Sequence, residues 1–198
     1  MTNKFQNKYR IPSTRLQNWD YRWNAAYFVT ICTHNRECFL GEVVNGKMKL
    51  SGIGIIADIL WHEIKNHAPN IELGEFVVMP NHVHGILILN NNDGNADNND
   101  NNVETTHALS LQSQQQTIGQ KRFQNQGKNT LSSIIGSYKS AISKHAHRLG
   151  FDFAWQSRFY DHIIRDEQSY QNISEYIINN PLKWNDDKFY PPNKTPEK

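Results

Sequence analysis

Two histidines in the middle of the chain have the spacing of a metal site. His82 and His84 follow a Met-Pro-Asn break and open an apolar run that ends at Leu89. Because side chains alternate between the two faces of a strand, both imidazoles are expected on one face and Val83 on the other, in the core. Two imidazoles so placed can bind one divalent metal. On spacing alone, surface histidines and hydrogen-bonded core histidines remain open.

A tyrosine and an asparagine near the end of the chain could complete such a site. Tyr176 and Asn180 are four residues apart and share a helix face. Pro181 disfavours helical geometry at Asn180, which is therefore predicted at a frayed helix end with its amide oxygen free to ligate. That oxygen suits Mg²⁺ or Mn²⁺, and a phenol one turn away could attack a phosphate that the metal holds. The alternative is a half-buried tyrosine beside a capping asparagine.

Hydrophobic periodicity and turn residues predict the strands and helices that must position these side chains. Alternating or β-rich runs predict strands, recurrent apolar residues at helical spacing predict helices, and Asn45-Gly46 predicts a tight hairpin turn. The predicted strands are 26–33, 71–78, 82–89 and 159–165, with a short hairpin at 43–50. The predicted helices are 53–66, 131–149 with a stop at Gly150, and one running from the N-cap Asp166 to Pro181.

This order of elements predicts an α+β fold. Strand, helix, two strands, helix, strand and helix together build an antiparallel sheet with helices packed on one face, a ferredoxin-like or RRM-like arrangement. The other face of the sheet is then free to carry a site, and the two histidines are placed there.

Length and composition limit the classes of protein to which this chain can belong. The 198 residues suit one domain, and a net charge of +2 permits an acidic partner without requiring one. Cys32 and Cys38 have neither zinc-ribbon nor CxxC spacing, which favours a reducing cytoplasm. No apolar run approaches the length of a membrane span, so no membrane association is expected. We expect a basic, aromatic arm over 1–25, one domain over 26–184 with a low-complexity, disordered insertion at 90–128, and a polar tail over 185–198.

Four blocks in this order resemble a known family. They are Tyr27–Thr33, Met79–His84, Trp155-Gln156 with Asp161–Asp166, and Tyr176–Pro181. The combination resembles the single-tyrosine HUH transposases, an insertion-sequence transposase family, and is most similar to the REP-associated tyrosine transposases of bacteria. The resemblance runs from about residue 15 to 184 and omits the insertion, which departs from the family pattern.

The resemblance implies a metal-dependent endonuclease and strand transferase that cuts single-stranded DNA beside a hairpin. Tyr176 matches the nucleophile that forms a 5′-phosphotyrosine, and His82, His84 and Asn180 match the ligands of Mg²⁺ or Mn²⁺. It implies a cytoplasmic, nucleoid-associated protein, monomeric or homodimeric. The candidate DNA contacts are Arg36, Lys139, Arg158 and Arg165.

Two other classes of function stay open at this point. A protein of this shape could bind nucleic acid without catalysis, through the sheet face and the aromatic arm. It could also be a metallohydrolase in which His82 and His84 activate water with no covalent step. Only the transferase requires Tyr176.

Overall fold

A computed structural model describes residues 4–5, 8–9, 23–90 and 130–191 of the chain. The predicted arm and the insertion lie almost entirely outside these residues and stay predictions. The strands are β1 (Lys4–Phe5), β2 (Lys8–Tyr9), β3 (Ala25–Cys32), β4 (Gly41–Val44), β5 (Lys47–Leu50), β6 (Ile71–Met79), β7 (His82–Leu89) and β8 (Tyr160–Ile164). The helices are α1 (Gly52–His62), α2 (Ile64–His67), α3 (Leu131–Arg148) and α4 (Glu167–Asn179), with 3₁₀ turns at His34–Arg36 and Pro181–Asp186.

A four-stranded antiparallel sheet is the centre of the fold. Its strand order is β6-β7-β3-β8, with β7 and β3 inside and β8 at one edge. The predicted α+β class is therefore confirmed. β6 and β7 form the predicted hairpin, and only the turn at Pro80 and Asn81 separates them.

Helices α1 and α3 cover one face of the sheet and enclose the main core. Val29, Val83 and Leu87 of the inner strands are fully buried there, as is Trp61 of α1. The hydroxyl of Tyr138 on α3 donates to the carbonyl of Ala57 on α1 at 2.9 Å, which fastens the two helices together. Burial of these large apolar side chains is the main source of stability for such a layer.

Helix α4 lies on the opposite face, which adds a feature to the predicted arrangement of helices on one face. Its Ile177 packs against Ile86 of β7 and Ile164 of β8, with Ile173 half-buried beside them. The apolar stripe of α4 therefore covers the half of this face where the sheet presents apolar side chains. The other half carries His82 and His84.

Several local predictions are confirmed by backbone geometry. The β4–β5 hairpin turns at Asn45 and Gly46, which both have positive φ, as a type I′ turn requires. Asp166 caps α4 by accepting the amide N–H of Ser169, and Gly150 follows α3 in the left-handed region. The predicted helix 53–66 is divided at Glu63 into α1 and α2.

Candidate metal and tyrosine site

His82 and His84 lie side by side on the face of the sheet opposite the main core. They begin β7, and in the pairing with β3 they stand opposite Cys32 and Thr30. Val83 between them is buried in the core, so the predicted alternation is confirmed. The two imidazole centroids are 4.4 Å apart, and the exposed fraction of each side chain is 1% or less.

Both histidines are held in the neutral form that a metal requires. Burial lowers the pKa of His82 well below its usual 6.5, and the neighbouring His84 and the Lys188 ammonium lower it further. Burial, with a smaller contribution from Lys188, lowers the pKa of His84 to about 3. Because desolvation disfavours the charged imidazolium, each ring keeps a nitrogen lone pair at neutral pH.

Asn81 fixes which nitrogen of His82 is free. The Asn81 side-chain amide donates to the carbonyls of Arg36 at 3.0 Å and Phe189 at 2.8 Å. Its Oδ1 must therefore accept from Nδ1 of His82, which lies 2.9 Å away. The Nε2 of His82 is left as an acceptor, and it is buried without a hydrogen-bond partner in the described part of the chain. An outer contact of this kind orients metal-binding histidines.

His84 connects the sheet to the tyrosine helix. Its Nδ1 lies 2.9 Å from the hydroxyl of Thr30, and its Nε2 lies 3.2 Å from the hydroxyl of Tyr176. Tyr176 is 39% exposed, so its side chain contacts both His84 and solvent. Burial and the carboxylate of Asp187 raise the pKa of the phenol, which keeps Tyr176 protonated at neutral pH.

Asn180 reaches the site from a different backbone geometry than the sequence suggested. Its φ and ψ of −58° and −43° are helical, not frayed, because the chain continues directly into the 3₁₀ turn that begins at Pro181. The prediction of a frayed end was therefore wrong. The side-chain oxygen Oδ1 is nevertheless buried without a hydrogen-bond partner in the ranges described.

Asp187 belongs to the site, although sequence reasoning placed it in a polar tail. One ligand atom each of His82, His84 and Asp187 all lie within 4.8 Å of one another. The Asp187 carboxylate also accepts from the Asn180 amide at 3.1 Å and from the Phe189 backbone N–H at 2.7 Å. No regular spacing links Asp187 to the histidines, so only the folded chain reveals it.

The segment after Asp187 covers one side of the histidine pair. Phe189 is 8% exposed, and its ring centroid lies 4.6 Å from that of His82. The guanidinium of Arg36 and the ammonium of Lys188 lie 5.0 Å and 4.9 Å from the centre of the Phe189 ring. Arg36 also donates to the Lys188 carbonyl at 3.2 Å. Arg36, one of the four predicted DNA contacts, is thus placed against the site.

The other three candidate DNA contacts have different surroundings. Lys139 is half-buried and donates to the carbonyl of Gln156, so part of its bonding capacity is used inside the protein. Arg158 precedes β8 and is exposed. Arg165 follows β8 at the end that pairs with Ala26, the opposite end from the histidines. A role in DNA binding stays a prediction for these three and for Arg36.

The donor atoms present fit a divalent metal. His82 Nε2 and Asn180 Oδ1 are buried acceptors without partners, and such atoms are costly unless something binds them. Together with His84 Nε2 and a carboxylate oxygen of Asp187, they would offer two nitrogen and two oxygen ligands. Nitrogen and oxygen donors of this kind are compatible with several first-row metals and with Mg²⁺.

Comparison with known structures defines the class of fold. The structure of a REP-associated tyrosine transposase bound to a REP hairpin superimposes with a TM-score of 0.53, covering 88% of this chain and 74% of that one. At 19% sequence identity this likeness shows a shared, transposase-like fold.

Sequence comparison places the chain in a family. An uncharacterized protein of Haemophilus influenzae is 36% identical over 180 residues, which is 90% of this chain and 92% of the relative. The chain belongs to the same protein family as this relative. No protein-family model matches it. None of the helices in the described ranges is long and apolar enough to cross a membrane.

Proposed function

We propose that this protein is a transposase-type enzyme that cuts and rejoins single-stranded DNA beside a hairpin, with Tyr176 as the nucleophile. The observation that carries the proposal is the position of the Tyr176 hydroxyl. It lies 3.2 Å from His84 Nε2, beside a cluster of candidate metal ligands in which the two histidines are buried and Asp187 is half-buried. The transposase-like fold and the hairpin bound to the structural relative support the same substrate.

In this proposal His82, His84, Asp187 and Asn180 would hold Mg²⁺ or Mn²⁺. The ion would supply charge stabilisation at the scissile phosphate. The chain's own contribution is to place the phenol in line with the phosphorus, and such positioning is worth several kcal/mol. The rings of Phe189 and Trp184 pack against His82 and shield that histidine from solvent.

The covalent step exchanges one phosphate ester for another. The Tyr176 oxygen forms a bond to phosphorus and the bond from phosphorus to the 3′-oxygen breaks, which leaves a 5′-phosphotyrosine. The phenolic proton passes to solvent at the exposed side of Tyr176, and the leaving 3′-oxygen takes up a proton to become a hydroxyl. Attack by another 3′-hydroxyl reverses the step and joins strands without an external energy source.

The test is a denaturing gel after incubation with a labelled single-stranded hairpin oligonucleotide from the flanks of the protein's own gene. With Mg²⁺ or Mn²⁺, the wild type is expected to give a protein-linked DNA band. Tyr176→Phe removes the attacking oxygen and His82→Ala removes a ligand, so both should abolish that band. Tyr170→Phe, on the same helix but packed near Gly74, is the matched control and should retain it.

The alternatives give different patterns on the same gel. Cleavage without a linked band, surviving in Tyr176→Phe but not in His82→Ala, would replace the proposal with a metallohydrolase. Binding without cleavage across several hairpins from these flanks would replace it with a non-catalytic nucleic-acid-binding protein.

A further inference from the structure

Tyr160 lies next to the proposed nucleophile with its ring open to solvent. It begins the edge strand β8 and stands opposite Thr30, which in turn stands opposite His84. The side chains of Tyr160, Thr30 and His84 therefore point to one face of the sheet, in a row across three strands. Tyr160 is 53% exposed and lines the same cleft as Tyr176, a space of about 440 Å³.

The ring of Phe28 packs against both tyrosines. Phe28 of β3 lies between them, with its ring centroid 6.4 Å from that of Tyr160 and 6.2 Å from that of Tyr176. Both contacts are edge-to-face, so the rings fix one another's positions without closing the cleft. Three aromatic rings in mutual contact therefore line this cleft.

Charge alone does not make this cleft attractive to a phosphate. Lys183 and Lys188 line it, but so do Asp186 and Asp187. The four side chains balance in formal charge. The side chains of the cleft therefore add little net attraction for phosphate beyond what a bound metal would supply. Exposed rings offer a second source of affinity, because every base can stack on an aromatic face.

We infer that Tyr160 is a stacking platform for a base next to the scissile phosphate, an inference that rests on the proposed function of Tyr176. Strands are spaced by about 4.8 Å, so the backbones of His84 and Tyr160 are roughly 10 Å apart. A phosphate held at His84 and Tyr176 would leave room for a sugar between it and a base over Tyr160. Stacking holds the nucleotide in register, so Tyr160 is a positioning residue and not a second nucleophile.

Binding of single-stranded DNA tests the inference apart from cleavage. The probe is a fluorescein-labelled oligothymidylate of about twelve nucleotides, measured by anisotropy in a Tyr176→Phe background. Tyr160→Ala is expected to weaken binding about 5- to 150-fold, the effect of losing one stacked base. Tyr160→Phe keeps the ring and should bind close to the parent protein. Phe151→Ala removes an exposed ring that lies beside Gly52 of α1 and should leave binding unchanged.

Salt dependence separates stacking from charge. Because Tyr160→Ala removes no phosphate contact, the slope of log affinity against log salt should not change. Tyr160→Ala must also melt at the wild-type temperature, as expected for an exposed side chain. Binding equal to the parent protein, or loss of binding in Tyr160→Phe as well, would overturn the inference.

Failure of the inference is distinguishable from failure of the proposed function. A wild-type protein-linked band together with unaltered DNA binding by Tyr160→Ala rejects only the stacking platform. Weakened binding by Tyr160→Ala with no linked band from wild type rejects only the tyrosine chemistry. If both hold, Tyr160→Ala should raise the KM for the hairpin oligonucleotide more than it lowers kcat.

Discussion

The Nε2 atom of His84 can form a hydrogen bond with the Tyr176 hydroxyl or bind a metal. In the structure it lies 3.2 Å from the Tyr176 hydroxyl, and it is also one of the nitrogens that would bind a metal. One lone pair cannot do both, so metal binding and this hydrogen bond compete. Burial and the Asp187 carboxylate raise the pKa of the phenol, so Tyr176 holds its proton at neutral pH and must lose it when it attacks.

Asn81 gives a prediction at this scale. Asn81→Ala removes the oxygen that accepts from His82 Nδ1, so the imidazole can turn or change tautomer. We expect a 10- to 100-fold loss of Mn²⁺ affinity, the usual effect of removing a partner that orients a ligand. Isothermal titration calorimetry measures it. The control is Asn66→Ala, whose side chain contacts Glu63 beyond α1. Equal affinity in Asn81→Ala and wild type would contradict the assigned role.

Strand β7 contributes side chains both to the candidate site and to the main core. One of its faces carries His82 and His84, and the other contributes Val83 and Leu87 to the core. Gly85 lies in the strand beneath Trp61, where a Cβ atom would approach the indole within 2.2 Å. The large indole can pack directly on the strand backbone only because this position has no side chain. The packing of α1 thus holds the strand that carries the histidines.

Substitution of Gly85 tests this element. Gly85→Ala should lower the free energy of unfolding by about 1–3 kcal/mol, because Trp61 is fully buried and has no room to move. Urea denaturation measures the change. Gly136→Ala is the matched control, since a Cβ there meets no atom within 4 Å, and it should raise stability by about 0.5–1 kcal/mol. A Gly85→Ala protein as stable as wild type would refute the packing argument.

The molecule as a whole buries two ionisable groups in one place. The sheet, α4 and the segment around Phe189 enclose His82 and His84 from three sides. Both histidines stay neutral in the folded protein, but both can take up a proton when the chain unfolds. The fold therefore loses stability in acid because these two buried histidines are neutral in the folded state.

Stability should accordingly fall as the pH drops below about 6.5 in the absence of metal. The folded-state pKa values lie below the unfolded value, so the unfolded chain binds more protons and is favoured by acid. Each histidine contributes a slope of up to about 1.4 kcal/mol per pH unit. Urea unfolding with EDTA at pH 7.5, 6 and 5 measures it.

A variant with His82→Gln and His84→Gln removes these two groups and should show a flatter dependence on pH. The exposed His145→Gln serves as the control and should follow the wild type. Equal slopes for the wild type and the double variant would rule out the buried histidines as the source.

The sequence by itself determined the features that depend on local periodicity. Alternation along a strand put His82 and His84 on one face of the sheet, and helical spacing put Tyr176 and Asn180 on one face of a helix. Both patterns follow from backbone geometry alone. Tertiary structure decided the rest. It brought Asp187 to the histidines and placed α4 across from α1 and α3, whereas Arg165 lies away from the site. Such contacts join residues far apart in the chain, and their positions depend on how whole elements pack.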